Sequence, residues 1–283
     1  MLGATEIGQG ADTVFSQMVA ETLRTDMEHV HIKTVQDTDV SPFDTGAYAS
    51  RQSFVTGTAV RHCAEILRDK ILAYAKTLLP EIDTRELTLK DNWIWAGDEQ
   101  AISLAALAEE SYYSLTNSSV LTAEVSEQVK KNTIATGCCF AEVEVDIKLG
   151  KIKILHIINV HDSGKLLNPQ LAEMQVHGGM SMGMGYGISE QLILDEKTGR
   201  PLNGNLLDYK LMTMLDTPDI KADFVELCDP MGPYGNKALG EPPAIPCAPA
   251  IRNAVLHATG VAFYENPLTP QRLIDGFQKA GLI

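Results

Sequence analysis

Glu241 is the residue in this sequence best placed to move a proton. In Lys237-Ala-Leu-Gly-Glu-Pro-Pro243 it stands between Gly240 and the pair Pro242-Pro243, immediately before an apolar helical pattern. Glycine permits close backbone approach and positive φ, whereas each proline fixes its own φ and restricts the residue ahead of it. The carboxylate is therefore carried on a stiff, shaped connection, which is a way of aiming an acid. A plainer reason also exists, because a carboxylate is favoured near the exposed amides and dipole of a helix start.

Further candidates lie where loops enter helices. Gly8-Gln9-Gly10 precedes a helical stretch, 11–24, in which Val14, Phe15, Met18, Val19 and Leu23 share one face. The glycines leave a bare helix start whose amides could receive an anion or a carbonyl-rich ligand, with Gln9 able to donate and accept beside them. Ala49-Ser50-Arg51-Gln52-Ser53 repeats the arrangement ahead of a long helix running to about Leu79 and closed by Pro80. Its hydroxyl, guanidinium and amide groups suit a polar cofactor, although Ser50 or Ser53 would equally serve as an ordinary cap.

His161-Asp162-Ser-Gly164 follows a strand pattern, and Asn168-Pro169 supplies the cap and first turn of a helix passing through Gln175 and His177. Glycines at 178, 179, 183, 185 and 187 each cost about 1 kcal/mol in a helix interior relative to alanine, so something large is expected to pack on that backbone. Gly183-Met-Gly-Tyr-Gly187 lacks the strand-turn-helix setting of a dinucleotide loop. His161, Asp162 and His177 are metal-ligand types at a spacing that fits no usual site. Turn or core roles are expected for the histidines, and Asp162 is expected to order its own turn.

The elements that position these groups read as α+β with interrupted layers. A strand is expected over 30–35, a polar loop over 36–48, a hairpin over 86–95 turning at Asp91-Asn92, and a helix over 100–113. The stretch 114–136 is a boundary or surface excursion. A second hairpin pairs 137–147 with 151–160, placing Cys138 and Cys139 on opposite faces. An extended segment over 188–195, a strand over 221–228 and helices near 245–258 and 268–280 complete the chain, which divides into lobes 1–135 and 136–283.

Composition narrows the function. The 283 residues carry 23 basic and 37 acidic side chains, a net charge of −14, and no basic block to follow a phosphate backbone, so nucleic acid is not an expected partner. No apolar run reaches the length of about 18 residues that spans a bilayer, and the N-terminus has no secretory form, so no membrane association is expected and the cytoplasm is the default compartment. The five cysteines, at scattered spacings, suit reduced thiols, and no Cys/His spacing resembles a zinc or iron–sulfur site. Few residues precede Gly8, which leaves no room for a preceding strand or layer and implies a missing partner segment.

Five motifs in order, Gly3-Ala-Thr-Glu-Ile-Gly-Gln-Gly10, Ala47-Tyr-Ala-Ser-Arg51, His161-Asp-x-Gly-x-x-x-Asn-Pro169 with Gln175, Lys237-Ala-Leu-Gly-Glu-Pro-Pro243 and Pro267-Leu-Thr-Pro270, carry a resemblance over essentially the whole chain. The sequence resembles the C-terminal half of the molybdenum-binding subunit of the xanthine dehydrogenase and aldehyde oxidoreductase family. That resemblance implies a molybdenum ion held by the dithiolene of molybdopterin, with a phosphate or a nucleotide tail such as the cytosine dinucleotide, and no direct protein ligand to the metal. It implies cofactor-binding roles for Gln9, Gly10, Ala49, Ser50, Arg51, Gln52 and Gln175, both lobes being cofactor-binding, and matches Glu241 to the family's active-site glutamate. The implied reaction is hydroxylation, with water as oxygen source, of an sp² carbon in a nitrogen heterocycle such as a purine or pyridine carboxylate, or of an aldehyde. Glu241 would take the proton from metal-activated water, and electrons would leave to Fe–S and FAD groups on partner subunits.

The family's N-terminal half of this subunit has no counterpart here. The expectation is a split subunit, similar to that of nicotinate dehydrogenase, completed by a separate polypeptide, with a truncated chain as the other possibility. Tyr48-Ala-Ser-Arg51 also resembles the hydroxybenzoyl-CoA reductases, which leaves a molybdenum reductase open. A non-catalytic remnant or assembly subunit is a further alternative, against which the intact Gly240-Glu241-Pro242-Pro243 speaks.

Overall fold

The apolar face of 11–24 forms helix α1 (Ala11–Leu23), and the long pattern after the second junction forms α2 (Gln52–Leu78), which ends ahead of Pro80. These belong to a computed structural model that describes residues 1–33, 37–82 and 87–283. The described residues divide into two units, Met1–Asn132 with Pro230–Tyr234, and Thr133–Asp229 with Gly235–Ile283.

In the first unit, β1 (Leu87–Lys90) and β2 (Trp93–Ala96) form the expected hairpin. Asp91 and Asn92 turn it with φ of 50° and 62°, the positive values that a two-residue hairpin matching the strand twist requires. The helix expected over 100–113 is corrected at its start. Glu99–Ser103 is a third strand, β3, paired antiparallel with β2, and α3 (Leu104–Tyr113) begins only where the Ser103 side chain accepts from the Ala106 amide. Ladder bonds to β2 outcompete helix formation over those residues, a choice set by a partner strand. The strand expected over 30–35 does not form at 30–33, and its remaining positions, like Glu86 of the hairpin, lie outside the described residues. Leu23, Ile71, Tyr74, Ala75, Leu87, Leu89, Ile94 and Leu107 make the core. Segment 230–234 packs here through Tyr234, whose hydroxyl donates to the Met18 carbonyl at 2.9 Å and hydrogen-bonds Thr22, with Arg61 lying 5.3 Å from its ring.

The second unit is a sheet of order β4-β5-β6 covered on one face by helices. β4 (Thr136–Asp146) and β5 (Lys151–Asp162) are antiparallel, and β6 (Asp219–Phe224) runs parallel to β5. Alternation along β5 changes phase once. Glu142 pairs with His156 but Val143 with Ile154, leaving Leu155 as an extra residue. Such a bulge shifts the side-chain parity, so Ile152 and Ile154 face inward before it and Ile157, Asn159 and His161 after it. Helices α4 (Pro169–Ile188), α5 (Cys247–Thr259) and α6 (Pro270–Lys279) follow the expected positions. The extended stretch expected over 188–195 is irregular apart from one bridge, Leu194 to Pro201, and the strand expected over 221–228 ends at Phe224. Ile154, Ile157, Val176, Met180, Met184, Cys247 and Ile251 form the core between sheet and helices.

Candidate functional site

In the first unit the two junctions meet through a pair of amides. Gln9 Nε2 donates to Gln52 Oε1 and, at 3.1 Å, to the Thr5 carbonyl, which also accepts from Gln52 Nε2 at 3.0 Å. The Ile7 amide donates to Gln9 Oε1 at 2.7 Å. Gln52 is buried and Gln9 half-buried, so the pair fixes two amide side chains at the edge of the unit. Gly10 caps α1 with φ of 84°, where a Cβ would be strained.

The bare helix start expected here is corrected. The carboxylate of Glu6 folds back to accept from Gly8 at 2.8 Å, Gly10 at 3.1 Å and Asp12 at 3.0 Å. Partial burial alone would raise its pKa, but the amides of Asp12, Gly10, Gly8 and Ile7 outweigh it and hold the carboxyl below its ordinary value. The chain thus supplies its own anion to this helix start.

Ala49 and Ser50 stand consecutively in the left-handed region, with φ of 52° and 53°. Each such non-glycine residue costs about 1–3 kcal/mol and persists only where the surroundings hold it. Arg51 does the holding. Its Nη1 donates to Thr45 Oγ1 at 2.7 Å and lies 3.7 Å from Asp44, and its guanidinium stands 5.4 Å from the Tyr48 ring centre. The result is a left-handed kink at 49–50, with Ala49 exposed, directly ahead of α2.

In the second unit, Glu241 is exposed at the head of a tight turn closed by Ala244 N donating to the Glu241 carbonyl at 3.0 Å. Before the turn, Lys237 Nζ pairs with Asp162 at 2.7 Å, both side chains about nine-tenths buried, and the Lys237 amide donates to the Ser163 carbonyl at 2.7 Å. After it, Asn159 Nδ2 donates to the Pro243 carbonyl at 2.8 Å and the Cys247 thiol to the same oxygen at 3.3 Å. Asp162 orders its own turn as expected, accepting from the Gly164 and Leu227 amides. Burial works to raise its pKa, but the Lys237 hydrogen bond, the two amides and the Lys237 charge together bring it below the usual value.

The large object expected against the α4 glycines is the start of α5. A Cβ on Gly179 would stand 2.8 Å from Pro243 Cβ, and one on Gly183 would stand 2.5 Å from the Ala244 carbonyl oxygen and 2.7 Å from Cys247 Cβ. Gly187 meets Ala248 and Ile251. Glycines four residues apart thus form the seam that lets the turn after Glu241 sit down on α4. Gln175 lies one turn ahead of Gly179 on the same face. Gly178 is exposed, and a Cβ there would meet nothing within 4 Å, so beside Gln175 the helix presents bare backbone at its own expense.

His161 and Ser163 are buried with their side-chain polar atoms unpartnered among the described residues, as are Asn159 Oδ1 and Asn236 Oδ1. Burial pushes the His161 pKa down, so the ring is neutral, in keeping with a core role. His177 lies half-buried on α4, 3.9 Å from Glu173. Cys138 is exposed while Cys139 joins the core, and all five cysteines are free thiols. A hydrogen bond with Cys139, together with burial, pushes the Cys247 thiol far up. Among the described residues the one group of three clustered metal-ligating side chains, Asp26, Glu28 and His29, is fully exposed and holds none of the residues above. Nor is any helix of the described residues long and apolar enough to cross a membrane. Sequence reasoning missed Asn159, and its signal was a carboxamide inside the apolar run Ile157-Ile-Asn-Val160.

The sequence profile of the family described as Molybdopterin cofactor-binding domain matches residues 1–218. The chain is 50% identical, over 99% of its own length and 38% of the relative's, to the xanthine dehydrogenase molybdenum-binding subunit of Escherichia coli O157:H7. It superposes with a TM-score of 0.89 on CO dehydrogenase from Oligotropha carboxidovorans, at 26% identity, covering 99% of this chain and 35% of that one. Quinoline 2-oxidoreductase from Pseudomonas putida 86 matches with a TM-score of 0.85, at 26% identity, over 98% of this chain and 36% of that one. The chain therefore spans little more than a third of the length of these proteins.

Polar groups of the kind that a pterin's amide and its phosphate take are present in each unit taken by itself. The carboxamides of Gln9 and Gln52, hydrogen-bonded to each other and to Thr5, and the left-handed backbone of Ala49 and Ser50 lie in one unit. Gln175 beside bare Gly178 offers a further amide with room for a ring in the other.

Proposed function

This chain belongs to the molybdopterin cofactor-binding domain family, and we propose that it is the catalytic portion of a molybdenum hydroxylase acting on an sp² carbon of a nitrogen heterocycle or on an aldehyde. The names of two relatives, for xanthine and for quinoline, favour the heterocycle. The observation that carries the reading is the geometry of Glu241, an exposed carboxylate whose turn is tied down on both sides by buried groups from β5, α4 and α5. A side chain that only capped a helix would need no such clamp.

When bound, the molybdenum cofactor supplies the two-electron oxidation and activates the water that provides the oxygen, passing electrons on to iron–sulfur and flavin groups of partner polypeptides. Glu241 is the proton acceptor of the reaction. Gln9 and Gln52 hold one part of the pterin by hydrogen bonds, the Ala49-Ser50-Arg51 backbone and guanidinium hold its phosphate side, and Gln175 holds a ring edge. The α4 seam packs against the turn after Glu241 and holds that backbone in place.

Replacing Glu241 by Gln keeps shape and hydrogen-bonding capacity but removes the base. In the complex purified from its native source, Glu241→Gln is expected to keep a molybdenum content of about one per chain while turnover falls about 10²–10⁴-fold. Full activity in that variant removes Glu241 from the reaction.

A further inference from the structure

Asn159 is fully buried on the inner face of β5, in the core formed by Ile157, Met180, Met184 and Cys247. A carboxamide in such a place loses its hydration and must be held by partners, and a leucine would fill the site without that demand. Only half of it is held. Nδ2 donates to the Pro243 carbonyl at 2.8 Å and reaches Cys247 Sγ at 3.8 Å, while Oδ1 has no partner among the described residues. The reverse amide orientation would set two oxygens against each other, so the donor side is fixed. Fold stability alone gives no reason for a side chain whose acceptor is left unsatisfied.

The short hydrogen bond that Asn159 makes, to the Pro243 carbonyl, falls on the turn of Glu241. Pro243 lies between Glu241 and Ala244, the two residues that close that turn, and its carbonyl is gripped by Asn159 from the sheet and by Cys247 from α5. Gly179 and Gly183 of α4 leave the turn no space to retreat. We propose that Asn159 is a positioning residue for Glu241. Its buried N–H sets where the Pro242-Pro243 unit lies, and the stiffness of that unit carries the setting to the carboxylate. This rests on Glu241 being the proton acceptor.

The test uses the purified complex with Asn159→Leu, Asn159→Asp and Glu241→Gln. A base displaced by about 1 Å loses on the order of 10²-fold in rate. Asn159→Leu is expected to lower kcat about 10–100-fold, with KM and molybdenum content nearly unchanged. Amide hydrogen exchange should rise in 240–246 and stay level in the rest of the second unit. Asn159→Asp can donate to Pro243 only when protonated, so its kcat should fall as pH rises through that carboxyl's pKa. Parent-like kcat and exchange in Asn159→Leu overturn the proposal, as does a joint loss of kcat, molybdenum and exchange protection throughout the unit, which marks a merely structural role. Should Asn159→Leu fail to assemble, the Asn159→Asp profile decides, and a pH-independent loss overturns the proposal. An active Glu241→Gln instead overturns the assignment of Glu241, whereas an inactive Glu241→Gln beside a normal Asn159→Leu overturns only the role of Asn159.

Discussion

Gly183→Ala and Gly178→Ala make the same chemical change five residues apart on α4, and the structure gives them opposite outcomes. Each exchange recovers about 1 kcal/mol of helix propensity. At Gly178 the added methyl meets no protein atom within 4 Å, so in the cofactor-free chain the whole gain is expected to appear as stability. At Gly183 it stands 2.5 Å from the Ala244 carbonyl oxygen and 2.7 Å from Cys247 Cβ, backbone and near-backbone atoms that cannot swing aside. Overpacking of this kind costs about 1–3 kcal/mol. Subtracting the propensity gain leaves Gly183→Ala between neutral and about 2 kcal/mol destabilised, while the gap between the two variants, about 1–3 kcal/mol, measures packing alone. Urea melts of both variants beside the parent read that gap as midpoints at equal slope. Because the atoms displaced at Gly183 belong to the turn after Glu241, kcat should fall in that variant. Equal midpoints for the two variants would refute the packing of α4 on the start of α5, and with it the account of how Glu241 is held.

Two more perturbations test the electrostatics. Glu6 has its pKa lowered in the folded chain, so its contribution is fully present above the unfolded value and is lost as pH falls through the folded one. Glu6→Gln is therefore expected to cost about 0.3–1 kcal/mol at neutral pH, a difference from the parent that shrinks in melts taken at progressively more acid pH. Lys237→Met leaves Asp162 a nearly buried charge without its partner and is expected to destabilise by about 3–5 kcal/mol. Adding Asp162→Asn should recover part of that loss in a double-mutant cycle.

Much of the architecture was legible because it is written in short-range chemistry. The one-sided apolar face of 11–24, the Asp91-Asn92 turn, the Asn168-Pro169 start of α4 and the proline after α2 each act within a few residues of themselves. The proton-moving candidate was legible for the same reason, since Gly240 and Pro242-Pro243 constrain Glu241 directly. Errors fell where a pairing strand or a fold-back of the chain decides. Residues 100–103 have a pattern that a helix could use, and β2 claimed them. The α1 start looked bare because Glu6 reaches it only by folding back across Ile7 to Gly10.

The sequence by itself determined which residues can bind and which can take a proton. Amides, hydroxyls, a guanidinium and one carboxylate between glycine and prolines have those capacities wherever they stand. Tertiary structure alone decided how the carboxylate is held. The bulge at Leu155 turns Asn159 inward, where it meets Pro243, and α4 reserves its glycines for α5. Both depend on contacts between segments separated by more than fifty residues, and packing at atomic distances is a property of the surfaces that meet, which no single stretch of sequence contains.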